Sequence, residues 1–144
     1  MRITENFQLE ELFHSDKAAQ LKIDNSPPPV AMARLVIFTI DVLQPVRSLL
    51  GSPVVITSGY RCPKLNRIVG GSPTSQHTLG EAVDMQCSSL DDLKKLYKLL
   101  CATNKCDQVL LEHNAKGVYW VHCSYKHEGD NRHDYRDNYL SKKS

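Results

Sequence analysis

Two side chains with metal-binding chemistry stand close together in the run Ser75-Gln76-His77-Thr78-Leu79-Gly80-Glu81-Ala82-Val83-Asp84. An aspartate on an otherwise apolar strand is costly to bury unless it is paired or bound to a cation. His77 stands seven residues before it, across a bend that contains Gly80. Imidazole and carboxylate together make a hard-to-borderline ligand set suited to zinc. Spacing alone leaves a plainer reading equally open, with Asp84 capping a turn and His77 on a surface loop, because two-residue motifs are weak signals. A third ligand tips the balance, and His122 is the best candidate. It lies in the aromatic run Val118-Tyr119-Trp120-Val121-His122-Cys123-Ser124, where an imidazole must find partners for both ring nitrogens. Taken by itself, His122 reads first as a satisfied core histidine. Joined to His77 and Asp84, it gives three ligands and one open position, the arrangement of catalytic rather than structural zinc. A water in that position has its pKa lowered to about 7.

Such a water needs a base, and Glu112 is the carboxylate on the strand arm facing His122. Antiparallel partners share a face, so the strand period tests the pairing. Pairing Glu112 with Trp120 and Leu110 with His122, around a five-residue connection from Asn114 to Val118, points Glu112 and His122 the same way. The two then become diagonal neighbours about 7–8 Å apart, with room between them for an ion and its water. A connection one residue shorter would put them on opposite faces unless a bulge intervened.

The elements that must hold these groups follow from apolar spacing. Asn6 to Ile23 reads as two short helical pieces, stopped by Asp24-Asn25-Ser26 and the prolines after them. Val30 to Leu50 carries the pattern of a well-buried helix that ends at Gly51 and is kinked by Pro45. Pro53 to Thr57 and Ala82 to Cys87 read as strands. The stretch Gly59 to Gly80, polar and broken by glycine and proline, reads as a long functional loop. Ser89 caps a helix whose buried stripe is Leu90, Leu93, Leu96, Tyr97 and Leu100, and Gln108–Glu112 with Val118–Ser124 reads as a hairpin. His113 should face away from Glu112 into solvent, and His14, His127 and His133 should lie on the surface. Cys123 alternates with His122 and should point into the core. The segment from Lys126 is charged and poor in apolar residues, with 141–144 expected to fray.

The chain has 144 residues, 41% hydrophobic and 24% charged, which fits a single domain over 1–144. A domain of this size removes roughly 68–70% of its unfolded surface from water, so it needs no metal to stay folded. A metal site here therefore points to chemistry rather than to structure. A net charge of +2 is too mild to suggest a phosphate-tracking protein, and no nucleic-acid partner is expected. No apolar run approaches the roughly 20 residues that span a bilayer, so no membrane insertion is expected. The start, MRITENFQLEEL, lacks the basic and apolar regions of a secretory signal. The five cysteines, odd in number and without a CxxC pair, read as reduced thiols of a chain made in the cytoplasm.

SQHTLGEAVD resembles the SxHxxGxAxD signature of the zinc D-alanyl-D-alanine carboxypeptidases and related cell-wall endopeptidases, and the preceding SGYRCPKLNRIVGGSPTSQH is similar to that family as well. The likeness runs from NFQLEEL through WVHCSY and resembles the short branch found in bacteria and phages, lysis enzymes included. Hedgehog signalling domains share this zinc fold, and their HCS-containing strand is similar to VHCSY here. The resemblance implies an α+β fold, with a small antiparallel sheet carrying one zinc ion and packed against helices. It implies that His77, Asp84 and His122 bind the zinc, that Glu112 is the general base, and that Arg61 polarises the scissile carbonyl or stabilises its oxyanion. Ser75 would orient the substrate or the site, and Trp120, on the site face, would line the substrate cleft. Many members place the acidic base three residues before the last histidine, where this chain has Tyr119, so Glu112 must serve from the neighbouring strand. The expected substrate is a peptidoglycan stem peptide or cross-bridge, cut by a monomer that is released or carried to the cell wall. The rival expectation is a zinc-containing wall-binding or interaction domain without turnover.

Overall fold

Alternation of large apolar with polar side chains sets the sheet. In the computed structural model, which describes residues 1–141, β1 (Val55–Ser58), β2 (Ala82–Gln86), β3 (Gln108–His113), β4 (Tyr119–Ser124) and β5 (Asp134–Leu140) form one sheet in the order β1-β2-β4-β3-β5. Val83, Met85, Val109, Leu111, Val121 and Cys123, the odd-numbered residues of the three central strands, enter the hydrophobic core. The even-numbered residues between them, Asp84, Leu110, Glu112, Trp120 and His122, take the opposite face.

Helices fill the other half of the core. α2 (Pro29–Phe38), a π turn (Thr39–Leu43) and α3 (Gln44–Leu50) form one continuous rod that contributes Leu35, Phe38, Val42, Leu43 and Val46. α5 (Leu90–Ala102) packs beside it through Leu93, Leu96 and Leu100, and Ser89 caps it by accepting from the Asp92 N–H. The π turn is the form taken by the expected proline kink. Pro45 has no N–H for the Asp41 carbonyl four residues back. The turn widens so that the Gln44 N–H reaches the Thr39 carbonyl, and Lys105 Nζ donates to the Asp41 carbonyl at 3.3 Å. At 22 residues the rod Pro29–Leu50 is long and apolar enough to cross a membrane by length and composition alone. This corrects the expectation that no apolar segment approaches that length; in this fold its apolar face is the core of the domain.

The α+β fold and the hairpin follow the sequence reading, including the pairs Glu112–Trp120 and Leu110–His122. Three other parts differ. First, the sheet is mixed rather than purely antiparallel, because β5 from the charged tail runs parallel to β3. Its Tyr135 and Tyr139 suit a pleated surface. Second, the Gly59–Gly80 loop contains α4 (Pro63–Ile68) and a 3-10 turn (Gln76–Leu79). Pro63 is tolerated at the first helical position, where no N–H is needed, and Cys62 Sγ accepts from the Leu65 N–H as the cap. Third, Ser141 is held by its N–H to the His113 carbonyl at 2.8 Å, while the rest of the segment expected to fray, 142–144, lies outside the described residues. The two short pieces at the start are a 3-10 turn (Leu9–Leu12) and α1 (Asp16–Gln20).

Candidate metal centre

Asp84 stands directly opposite His122 in the β2–β4 ladder, and His122 stands opposite Leu110 in the β4–β3 ladder, so one row of the sheet carries a carboxylate beside an imidazole. His77 is brought to this row by the 3-10 turn. Ser75 starts that turn, its Oγ accepting from the His77 N–H at 3.2 Å. Gly80 ends it at φ +76°, where a Cβ would fall 2.5 Å from the Ala31 carbonyl oxygen. The segment after β1 clasps the same turn: the Arg61 N–H donates to the His77 carbonyl, and the Gly59 carbonyl accepts from His77 Nδ1 at 2.8 Å.

The resulting group is tight. One ligand atom from each of His77, Asp84 and His122 lies within 4.8 Å of the other two. Asp84 Oδ1 is 2.9 Å from His122 Nδ1 and 3.4 Å from His77 Nε2. Burial would raise the Asp84 pKa, but the two imidazoles override it and hold the carboxyl well below its usual range. Burial also pushes the His77 imidazole below its ordinary value, against the pull of Asp84.

These details test whether a cation fits. A backbone carbonyl only accepts, so Nδ1 of His77 carries the proton and Nε2 of the neutral ring is a lone pair. That lone pair faces a carboxylate oxygen at 3.4 Å. Two acceptors face each other in a buried place, an arrangement that calls for a cation between them. Protonating a ring this deeply buried is disfavoured, whereas a divalent ion accepts both donors at once. The donor set of two imidazoles and one carboxylate fits such an ion.

A cleft of about 340 Å³ opens over this face, lined by the triad together with Ser75, Leu110, Glu112 and Trp120. Glu112 lies one diagonal from His122, and its Oε2 accepts from Trp120 Nε1 at 2.6 Å. Ser75 faces the cleft with its hydroxyl engaged in the turn that holds His77. Arg61 is placed differently. It lines a neighbouring cleft of similar volume that shares Asp84 with the first. An arginine is ordinarily exposed, yet this one is 5% exposed, with Nη1 on Asn66 Oδ1 and no partner for Nε among the described residues. Burial pulls its pKa down, while Asp84 and Glu112 pull it up.

His113 corrects the sequence reading: it turns away from Glu112, but into a half-buried place. Its ring stacks on Tyr119 with centroids 5.2 Å apart, and its Nδ1 is shielded from solvent. His14, His127 and His133 are exposed, and Cys123 is buried. Sequence reasoning missed Arg132 and Tyr139, which also line the cleft. Tyr139 comes beside Glu112 through a bulge in β5, where Asn138 takes φ +55°. Tyrosines at 135 and 139 were the available signal for this strand.

No curated protein matches the chain. The family model described as Peptidase M15 matches residues 5–124, a span that contains His77, Asp84, Glu112 and His122 and stops before Arg132 and Tyr139. With a metal-ready triad and a neighbouring carboxylate on one sheet face, and with this match over most of its length, the chain belongs to the Peptidase M15 family of metallopeptidases.

Proposed function

We propose that this protein is a zinc peptidase that hydrolyses peptide bonds of peptidoglycan, in the stem peptide or its cross-bridge, and that it acts as a monomer at the cell wall. The observation that carries the reading is the placement of Glu112 on the same sheet face as the triad, one cross-strand diagonal from His122. In that position the carboxylate can take a proton from a water at the triad, which the non-catalytic rival does not require.

His77, Asp84 and His122 would hold the zinc. Bound there, zinc supplies Lewis acidity, polarising a carbonyl oxygen and lowering the pKa of water. Glu112 is the general base. It takes a proton from water as the oxygen adds to the scissile carbonyl carbon, and passes that proton to the amine nitrogen as the C–N bond breaks. One water is consumed, and a carboxylate and an amine are released. Arg61, in the neighbouring cleft across Asp84, would act on the carbonyl oxygen as a nearby positive charge while that oxygen gains charge. Burial makes it a stronger electrostatic partner than an exposed arginine would be. Ser75 and the Trp120 ring orient the peptide in the cleft.

Purified peptidoglycan tests the reading. Incubation with the zinc-loaded protein should release amino acids or peptides identifiable by mass spectrometry, lose that release on chelation, and regain it with zinc. Stoichiometric zinc binding without release from any wall type would refute it.

A further inference from the structure

The cleft has one strongly basic wall, and it comes from outside the family-matched residues. Among the residues lining it, Arg132 is the single lysine or arginine, while Asp84 and Glu112 are the carboxylates. Beyond the ion that the triad would hold, Arg132 is the one side-chain cation that a peptide carboxylate meets on the lining of this cleft.

Arg132 is held ready for that meeting. Asp107, whose side chain is fully buried just before β3, accepts from the Arg132 backbone N–H at 2.7 Å, from Nε at 3.1 Å and from Nη2 at 2.8 Å. Nη2 also reaches Gln76 Oε1 at 3.4 Å, next to His77 in the chain. A guanidinium has five N–H donors in a planar fork. The buried aspartate takes the Nε/Nη2 edge, and Nη1 has no protein partner among the described residues. The side chain is 55% exposed, so its outer edge is open to a ligand. Orientation by Asp107 removes most of the rotamer entropy that a free arginine would lose on binding. Tyr139 of β5 and Trp120 of β4 line the same cleft and offer apolar surface for the rest of the peptide.

We infer that Arg132 is a specificity-determining residue that receives a substrate carboxylate in the cleft, so that the preferred substrate is a peptide with a free carboxylate close to the scissile bond. The inference rests on the peptidase reading above and narrows it. In a stem peptide the carboxylate has two sources, the C-terminus and the α-carboxyl of the γ-linked D-glutamate.

The test is equilibrium binding to zinc-loaded Glu112→Gln protein, read by emission of Trp120, the chain's single tryptophan. The probes are the peptide L-Ala-γ-D-Glu-L-Lys-D-Ala-D-Ala, its C-terminal amide, and the analogue amidated at D-glutamate. A charge-assisted hydrogen bond contributes about 1.5–3 kcal/mol, so one of the two amides should bind roughly tenfold or more weakly than the free acid. Which amide loses affinity identifies the source. Adding Arg132→Gln should abolish the discrimination. Because that change leaves Asp107 buried and unpaired, Asp107→Asn combined with Arg132→Gln is the second variant, and it should lose discrimination equally. Equal binding of all three peptides by the Arg132 protein, or discrimination that survives in both variants, would overturn the inference. Absence of hydrolysis by the zinc-loaded wild-type chain would instead refute the peptidase reading, while the binding comparison would still give its answer.

Discussion

Replacing Trp120 by phenylalanine asks whether the carboxylate it holds is the base of the reaction. The indole N–H donates to Glu112 Oε2 at 2.6 Å. A hydrogen bond to a charged acceptor contributes about 1.5–3 kcal/mol, and that energy belongs to the ionised form of the carboxyl. Its loss makes the ionised carboxyl harder to form, so the base stays protonated up to a higher pH. Both residues are half-buried beside a cleft that admits solvent, so water recovers part of the lost bond and the lower end of that energy, about 1.5 kcal/mol, is expected. A general base acts only when deprotonated. The acidic limb of the kcat/KM profile should therefore move to higher pH, costing roughly tenfold in rate on that limb, with the plateau within about threefold of wild type because phenylalanine keeps the aromatic wall. The assay is initial-rate hydrolysis of a stem peptide at low concentration across pH with zinc saturating, beside thermal melts that confirm folding. An unmoved acidic limb in a folded, zinc-loaded variant would remove Glu112 as the base.

Other expectations separate metal binding, catalysis and stability. His122→Ala should lose bound zinc together with activity, whereas Glu112→Gln should keep zinc and lose about 10²–10⁴-fold in turnover, as metal analysis beside rate measurement would read. Asp107 is buried, which by itself raises its pKa, but Arg132 overrides this and depresses it. The stability it gives is thus complete above the ordinary aspartate value of about 3.9 and is lost as pH falls through the lower native value. In urea unfolding, Asp107→Asn should be less stable than wild type at neutral pH, and the gap should close in acid; a gap independent of pH would show that the pair contributes nothing through charge. Gly80→Ala forces a side chain into a left-handed position and against the Ala31 carbonyl. It should cost about 2–4 kcal/mol and weaken zinc binding, since the same turn positions His77.

What the sequence disclosed about the site was set by local geometry. His77 and Asp84 are visible because a turn and one strand connect them. Glu112 and His122 are visible because alternation along two strands, joined by a connection of known length, fixes which side chains share a face; the observed ladder has Glu112 opposite Trp120 as that reasoning requires. Arg61 was legible as a residue but not as a place. Its burial depends on α4 and Asn66, and glycines and prolines concealed that helix. Arg132 and Tyr139 were not legible as site residues, although Tyr135 and Tyr139 hint at a strand. Their placement needs a parallel pairing between β3 and β5 and a one-residue bulge at Asn138. Neither leaves a periodic mark in a short charged segment, because parallel neighbours are set by tertiary packing rather than by a turn.

β5 also bears on aggregation. Without it, β3 would be an edge strand carrying Val109-Leu110-Leu111, with an open row of N–H and C=O groups along its flank. Such an edge is a template for pairing with a second chain. β5 covers it and offers a worse template in its place: its outer residues include Arg136 and Asp137, and the bulge at Asn138 breaks the regular spacing of its backbone groups. A chain ending at Ser124, where the family match ends, would keep the triad and Glu112 and yet expose this sticky flank. The last strand thus covers the flank of a sheet whose triad and Glu112 lie in earlier residues, and trimming the protein to the matched span should increase its tendency to self-associate.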